Sequence, residues 1–93
     1  MLFASLAVAG MLLGIGVIAC LTLSRVRSAL SRRTATRYGW LIKRELENGD
    51  VEVIAIGLTD AGVRTVEKTY VAKALAPDLN DAFKHGQTAR IEL

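Results

Sequence analysis

Residues 1–24, MLFASLAVAGMLLGIGVIACLTLS, contain no charged side chain, and residues 25–37 contain five arginines and no acid. A run of about 20 apolar residues crosses the ~30 Å hydrocarbon core of a bilayer as a helix. Leu2 to Leu23 meets that length. Backbone in lipid must satisfy its own hydrogen bonds, so a helix is expected despite Gly10, Gly14 and Gly16. A cleaved secretory signal fits poorly, because no Lys or Arg precedes a run that exceeds roughly 7–15 residues. Val17-Ile18-Ala19-Cys20 has the look of a lipoprotein signal, yet Leu21-Thr22-Leu23 continues the run past the cysteine. The sequence therefore predicts an uncleaved signal-anchor, a transmembrane helix over residues 1–24.

Orientation follows from charge. Arg25, Arg27, Arg32, Arg33 and Arg37 sit at the C-terminal end of the run, where basic residues set topology. They predict a single-pass protein of the cell (inner) membrane, with its N-terminus outside and the rest cytoplasmic. Gly10, Gly14 and Gly16 offer small-residue spacing for helix–helix packing. Cys20, the only cysteine, excludes an internal disulfide and reads as an apolar filler of the span. Residues 25–37 read as a basic juxtamembrane helix or linker, with Val26, Ala29 and Leu30 as one narrow apolar stripe. Its five arginines are the expected contacts for anionic lipid, at about 1 kcal/mol each near a membrane surface. Nucleic acid is not an expected partner, since no aromatics are interleaved with the arginines.

From Tyr38 onward the period becomes two-fold. Tyr38, Trp40 and Ile42 alternate with Gly39, Leu41 and Lys43. Asn48-Gly49-Asp50 between alternating runs is a strong hairpin signal. Asp50–Leu58 reads as a central strand, Asp60-Ala61-Gly62 as a second turn, and Val63–Val71 as a third strand. The turn geometry sets Ile56 opposite Val66 and Ile54 opposite Lys68. Pro77 excludes a strand interior, and Pro77–Gly86 suits a short helix with Leu79, Ala82 and Phe83 facing the sheet. Thr88–Leu93 closes as a fourth strand. Gly39 and Gly57 mark bulges or bends. The expected fold is α+β: one N-terminal transmembrane helix, then a small four-stranded antiparallel sheet or partly open barrel over residues 38–93 with one short helix.

Asn48-Gly49-Asp50, Asp60-Ala61-Gly62 and Phe83-Lys84-His85-Gly86-Gln87 before TARIEL, set behind an apolar run and a basic junction, carry a resemblance. The chain resembles small bacterial single-span membrane proteins that end in a compact β domain. That resemblance implies an architecture and no chemistry.

A catalytic constellation needs a nucleophile with a base, or a tuned pair of carboxylates. The one histidine, His85, stands beside a turn glycine and reads as a helix C-terminal cation. Glu45, Glu47, Asp50 and Glu52 cluster around the first turn but lack the ligand spacing of a calcium loop; a solvated turn is expected. No metal site, cofactor, small-molecule substrate or enzyme activity is expected. Tyr38 and Trp40 follow the arginines directly and read as interfacial aromatics or as sheet core. A core of this size rarely supplies more than about 3–5 kcal/mol, which favours a domain that packs on something else. The sequence thus predicts a membrane-anchored, non-catalytic interaction module, an accessory subunit partnered by lipids and by another membrane protein. The alternative is a lipid-sensing small regulator that self-associates.

Overall fold

Alternation from Tyr38 onward builds the sheet that organises the molecule. The computed structural model describes residues 16–93. Its elements are β1 (Val17–Ile18), α1 (Leu23–Leu30), β2 (Tyr38–Glu45), β3 (Val51–Leu58), β4 (Arg64–Ala72), α2 (Pro77–Ala82) and β5 (Thr88–Glu92). The strands form one mixed sheet in the order β1-β4-β3-β2-β5. β2, β3 and β4 make an antiparallel meander, and β5 pairs antiparallel with β2. β1 is parallel to β4, with Val17 opposite Val71 and Ile18 opposite Ala72.

This arrangement corrects the expected fold. There is no all-antiparallel four-stranded sheet behind a spanning helix; there are five strands in a mixed sheet and two short helices. Among the described residues, no helix is long and apolar enough to cross a membrane. Residues 17–21 of the expected span are strand, bend and bridge. Gly16 takes φ +76°, outside the right-handed helical region, and β-branched Val17 and Ile18 enter the sheet as β1. Leu21 is fully buried and bridges Leu75, with its N–H donating to the Ala74 carbonyl at 3.0 Å. Thr22 then caps a new helix, its hydroxyl accepting from the Arg25 N–H at 3.1 Å. Apolar length alone does not distinguish lipid from protein as the burying medium; here Leu21 is buried, and Ile18 half-buried, by protein. The single-pass, signal-anchor reading, the inner-membrane location and the outward N-terminus lose their support with that finding. Gly16 is not a helix-packing residue, and Cys20 is exposed rather than buried in a span. Gly10 and Gly14 lie outside the described residues.

The core lies on one side of the sheet. Val26 and Leu30 of α1 and Leu79 of α2, with Phe83 just past it, cover Leu41, Val53, Ala55, Tyr70, Ala72, Ala89 and Ile91. Two glycines permit this approach. A Cβ on Gly39 would stand 2.6 Å from Leu30 Cδ1. A Cβ on Gly57 would stand 2.7 Å from Val66 Cγ1 and 2.9 Å from Thr36 Cγ2.

At Gly57 the register slips. Gly57 faces Val66, whereas the next residue, Leu58, faces Arg64, so Thr65 is extra. Its hydroxyl meets that of Thr36 in a half-buried hydrogen bond. A one-residue slip moves every following side chain to the other face. Ile56 therefore faces Glu67, and Ile54 faces Thr69, in place of the expected Val66 and Lys68. Lys68 and Tyr70 come to the side of the sheet that carries the helices.

Candidate functional site

Two places remain where the described residues leave side chains without a covering layer. The first is the sheet face away from both helices. Cross-strand partners define its rows. Thr88, Ile42, Ile54 and Thr69 form one row. Arg90, Trp40, Ile56 and Glu67 form the next, and Glu92, Tyr38, Leu58 and Arg64 the third. Each row is apolar on the two central strands and polar on the two flanking strands. The helix-side core includes none of these residues. Trp40 is 39% exposed, and Tyr38, Ile42, Ile54, Ile56 and Leu58 are half-buried.

Charges of alternating sign flank the second and third rows of this patch, and threonines flank the first. Arg90 and Glu92 lie on β5, joined at 2.9 Å, and Glu67 and Arg64 lie on β4, also joined at 2.9 Å. The Arg90 guanidinium stacks 4.0 Å above the Tyr38 ring, which holds it flat against the patch. Tyr38 and Trp40, the expected interfacial aromatics, are thus placed together in this apolar field.

A fourth row, Arg44, Glu52, Val71 and Val17, borders the patch and is unlike it. Glu52 is 1% exposed. Its Oε1 accepts from Arg44 Nη2 at 2.9 Å, while its Oε2 is buried without a partner. The expected solvated acidic turn is corrected here. Asp50 is also buried: its N–H donates to Asn48 Oδ1 at 2.9 Å, and Lys73 Nζ stands 3.8 Å from its carboxylate.

The second place is a cleft of about 420 Å³ between α1 and β4. Arg25, Ser28 and Ala29, and Arg32 follow one strip along α1 and just beyond it, at helical spacing. β4 contributes Lys68 and the nearly buried Tyr70. Burial raises the Tyr70 phenol above its usual value, and the positive charges of Arg25 and Arg32 pull it part of the way back. Both arginines therefore act on the same hydroxyl. No acid pairs with Arg25, Arg32 or Lys68 among the described residues, and residues 1–15 contain no Asp or Glu.

The structure thus divides the five arginines read as one lipid-binding group. Arg25 and Arg32 line the cleft. Arg27 and Arg33 are exposed outside it. Arg37 is engaged elsewhere, 3.8 Å from Asp60 and donating to the Thr34 carbonyl at 3.0 Å. Lys68 and Tyr70 escaped the sequence reading because the extra residue at Thr65 reverses their face; the glycine that accommodates it, Gly57, was the visible signal. His85 is exposed, and no group of three or more His, Cys, Asp and Glu able to hold a metal occurs among the described residues.

These features belong to a small five-stranded mixed-sheet domain helical on one side. No protein-family model matches the sequence, no curated protein is detectably similar to it, and no solved structure matches it.

Proposed function

We propose that this chain is a non-catalytic interaction module that pairs with a second copy of itself through the helix-free face of its sheet. The observation that carries this reading is the alternating charge that flanks two of the three apolar rows. A two-fold axis in the plane of that face, along the strands, sets Arg90 over the partner copy's Glu67 position and Glu92 over its Arg64 position. An in-plane axis across the strands, lying between the second and third rows, sets Arg90 over Glu92 and Glu67 over Arg64 of the other copy. Either way the face is complementary to itself, as an isologous contact requires. The anatomy matches an interface, with aromatic and aliphatic side chains in the centre and charges at the rim.

Strand spacing and residue rise make the patch about 20 Å on a side. An interface that small falls at the low end of specific contacts, so the dimer is expected to form in a concentration-dependent way at micromolar levels or above. Exposed apolar patches of this kind on a monomer mark contact sites.

The test is mass against concentration for the full chain, by sedimentation or light scattering, with the emission of Trp40, the only tryptophan, as a local reporter. Doubling of mass with a blue shift of emission is expected. Ile56→Asp should abolish both while leaving the circular dichroism unchanged. A photo-crosslinker at Ile42 should yield a two-chain adduct. Adducts that stay within one chain, or a variant that dimerises as well as the parent, would overturn the proposal.

A further inference from the structure

We infer that the cleft between α1 and β4 is a binding site for a phosphomonoester. It lies on the helix side of the sheet and does not rest on the self-association proposed above.

Three cations, Arg25, Arg32 and Lys68, line one cleft without an acid between them. Like charges gathered in one place repel, and an exposed surface normally intersperses them with acids; elsewhere on this chain Arg37, Arg44, Arg64, Lys73 and Arg90 each have a carboxylate within 4 Å. Among the described residues Arg27, Arg33, Lys43 and Lys84 also have no carboxylate within 4 Å, but only Arg25, Arg32 and Lys68 share this cleft. Its hydrogen-bonding groups are donors of the kind that phosphate oxygens accept: two guanidinium groups, an ammonium, and the hydroxyls of Ser24, Ser28 and Tyr70. A phosphomonoester carries close to two negative charges at neutral pH, which suits three cations better than a single carboxylate does. The first turn of α1 adds its positive dipole end, since Ser24 and Arg25 belong to that turn.

Size narrows the ligand further. About 420 Å³ lies in the range of small-molecule sites and exceeds what one phosphate fills. The Tyr70 ring and Ala29 give the remaining space an apolar wall. The ligand is therefore a phosphate monoester with a small organic group, held for its charge. The lining holds no His, Asp or Glu to activate its hydroxyls, so the site is assigned to binding and not to turnover. The same group can arrive on a soluble molecule or at a lipid headgroup.

The experiment is a two-dimensional NMR titration of the full chain with two probes: glycerol 3-phosphate, and phosphatidylcholine vesicles with and without phosphatidic acid. Glycerol 3-phosphate should shift the amides of Ser24, Arg25 and Lys68. The pair Arg25→Gln with Arg32→Gln should weaken binding at least tenfold. The charge-matched pair Arg27→Gln with Arg33→Gln should change it less than twofold. Ile56→Asp should bind as the parent does, so failure of self-association leaves this result untouched. Binding only to vesicles that contain phosphatidic acid, with the same pattern across variants, supports the site and assigns the lipid as source. Equal weakening by both arginine pairs would reduce the effect to net charge and overturn the inference. So would the absence of binding to either probe.

Discussion

The two faces of the sheet are built from different sizes of side chain, and the difference records what each face meets. On the helix side the strands set Gly39, Ala55, Gly57, Ala72 and Ala89 among the larger Leu41, Val53, Tyr70 and Ile91, because α1 and α2 approach closely and fill the space from above. On the other side the same strands present Tyr38, Trp40, Ile42, Ile54, Ile56 and Leu58. Large apolar side chains without a covering layer of described residues reach outward, and they are bounded by charge. Small residues admit the chain's own helices, and an unbroken field of large ones marks where another surface is wanted.

The largest effect that tests this contrast comes from cutting one residue on each face. Leu41→Ala removes a fully buried side chain and should cost about 2–5 kcal/mol at any protein concentration. Ile56→Ala should cost far less in dilute solution, with a penalty that grows as the dimer is populated. Denaturant unfolding at two concentrations separates them; equal costs at high dilution would break the contrast. Next in size is Gly39→Val. Its Cβ would lie within contact of Leu30, and overpacking of this kind costs about 1–3 kcal/mol. Adding Leu30→Ala should recover part of that loss, as a double-mutant cycle would show.

Charge exchanges sharpen the picture of the bare face. Arg90→Glu should weaken self-association about tenfold, or about 1.4 kcal/mol, because the two-fold axis counts each changed contact twice. Combined with Glu67→Arg it should be rescued only if the axis runs along the strands. Combined with Glu92→Arg it should be rescued only if the axis runs across them. Sedimentation of the two double variants tells which. The smallest effect concerns Tyr70. Burial raises its phenol, so the folded chain holds that proton more tightly than the unfolded chain does. The stability this adds is present below the usual phenol value of about 10, and is lost as pH rises through the folded value. Arg25→Gln removes an attraction on the phenolate and should push the transition higher still. Phenolate absorbance, with Tyr70→Phe subtracted, reads the shift.

Much of the sheet was legible because its signals are local. Asn48-Gly49-Asp50 and Asp60-Ala61-Gly62 do turn the chain, with Gly49 at φ +92° and Gly62 at φ +84°. Ala89 and Ile91 alternate inward as their pattern required. Two things were not legible. Residues 17–23 carry the composition of a membrane span, and only the distant partners Val71 and Leu75 reveal a strand and a bridge. The bulge at Thr65 was hidden for a similar reason: nothing near it in sequence announces Thr36, whose hydroxyl meets it. That single extra residue decides which face receives Lys68, and with it whether the cleft has its third cation.

The parallel pairing of β1 with β4 also has a consequence for the order of events during synthesis. Every other strand contact joins β2, β3, β4 and β5, so the sheet can zip up while the N-terminal segment waits. Val17 cannot dock until Val71 has been made, which at about 5–20 residues per second takes several seconds. Through that interval Ile18 and Leu21 lack their pairing partners Ala72 and Leu75. The first of the described strands to leave the ribosome must wait for the fourth, and a holding factor that shields short greasy segments would find its clearest target there.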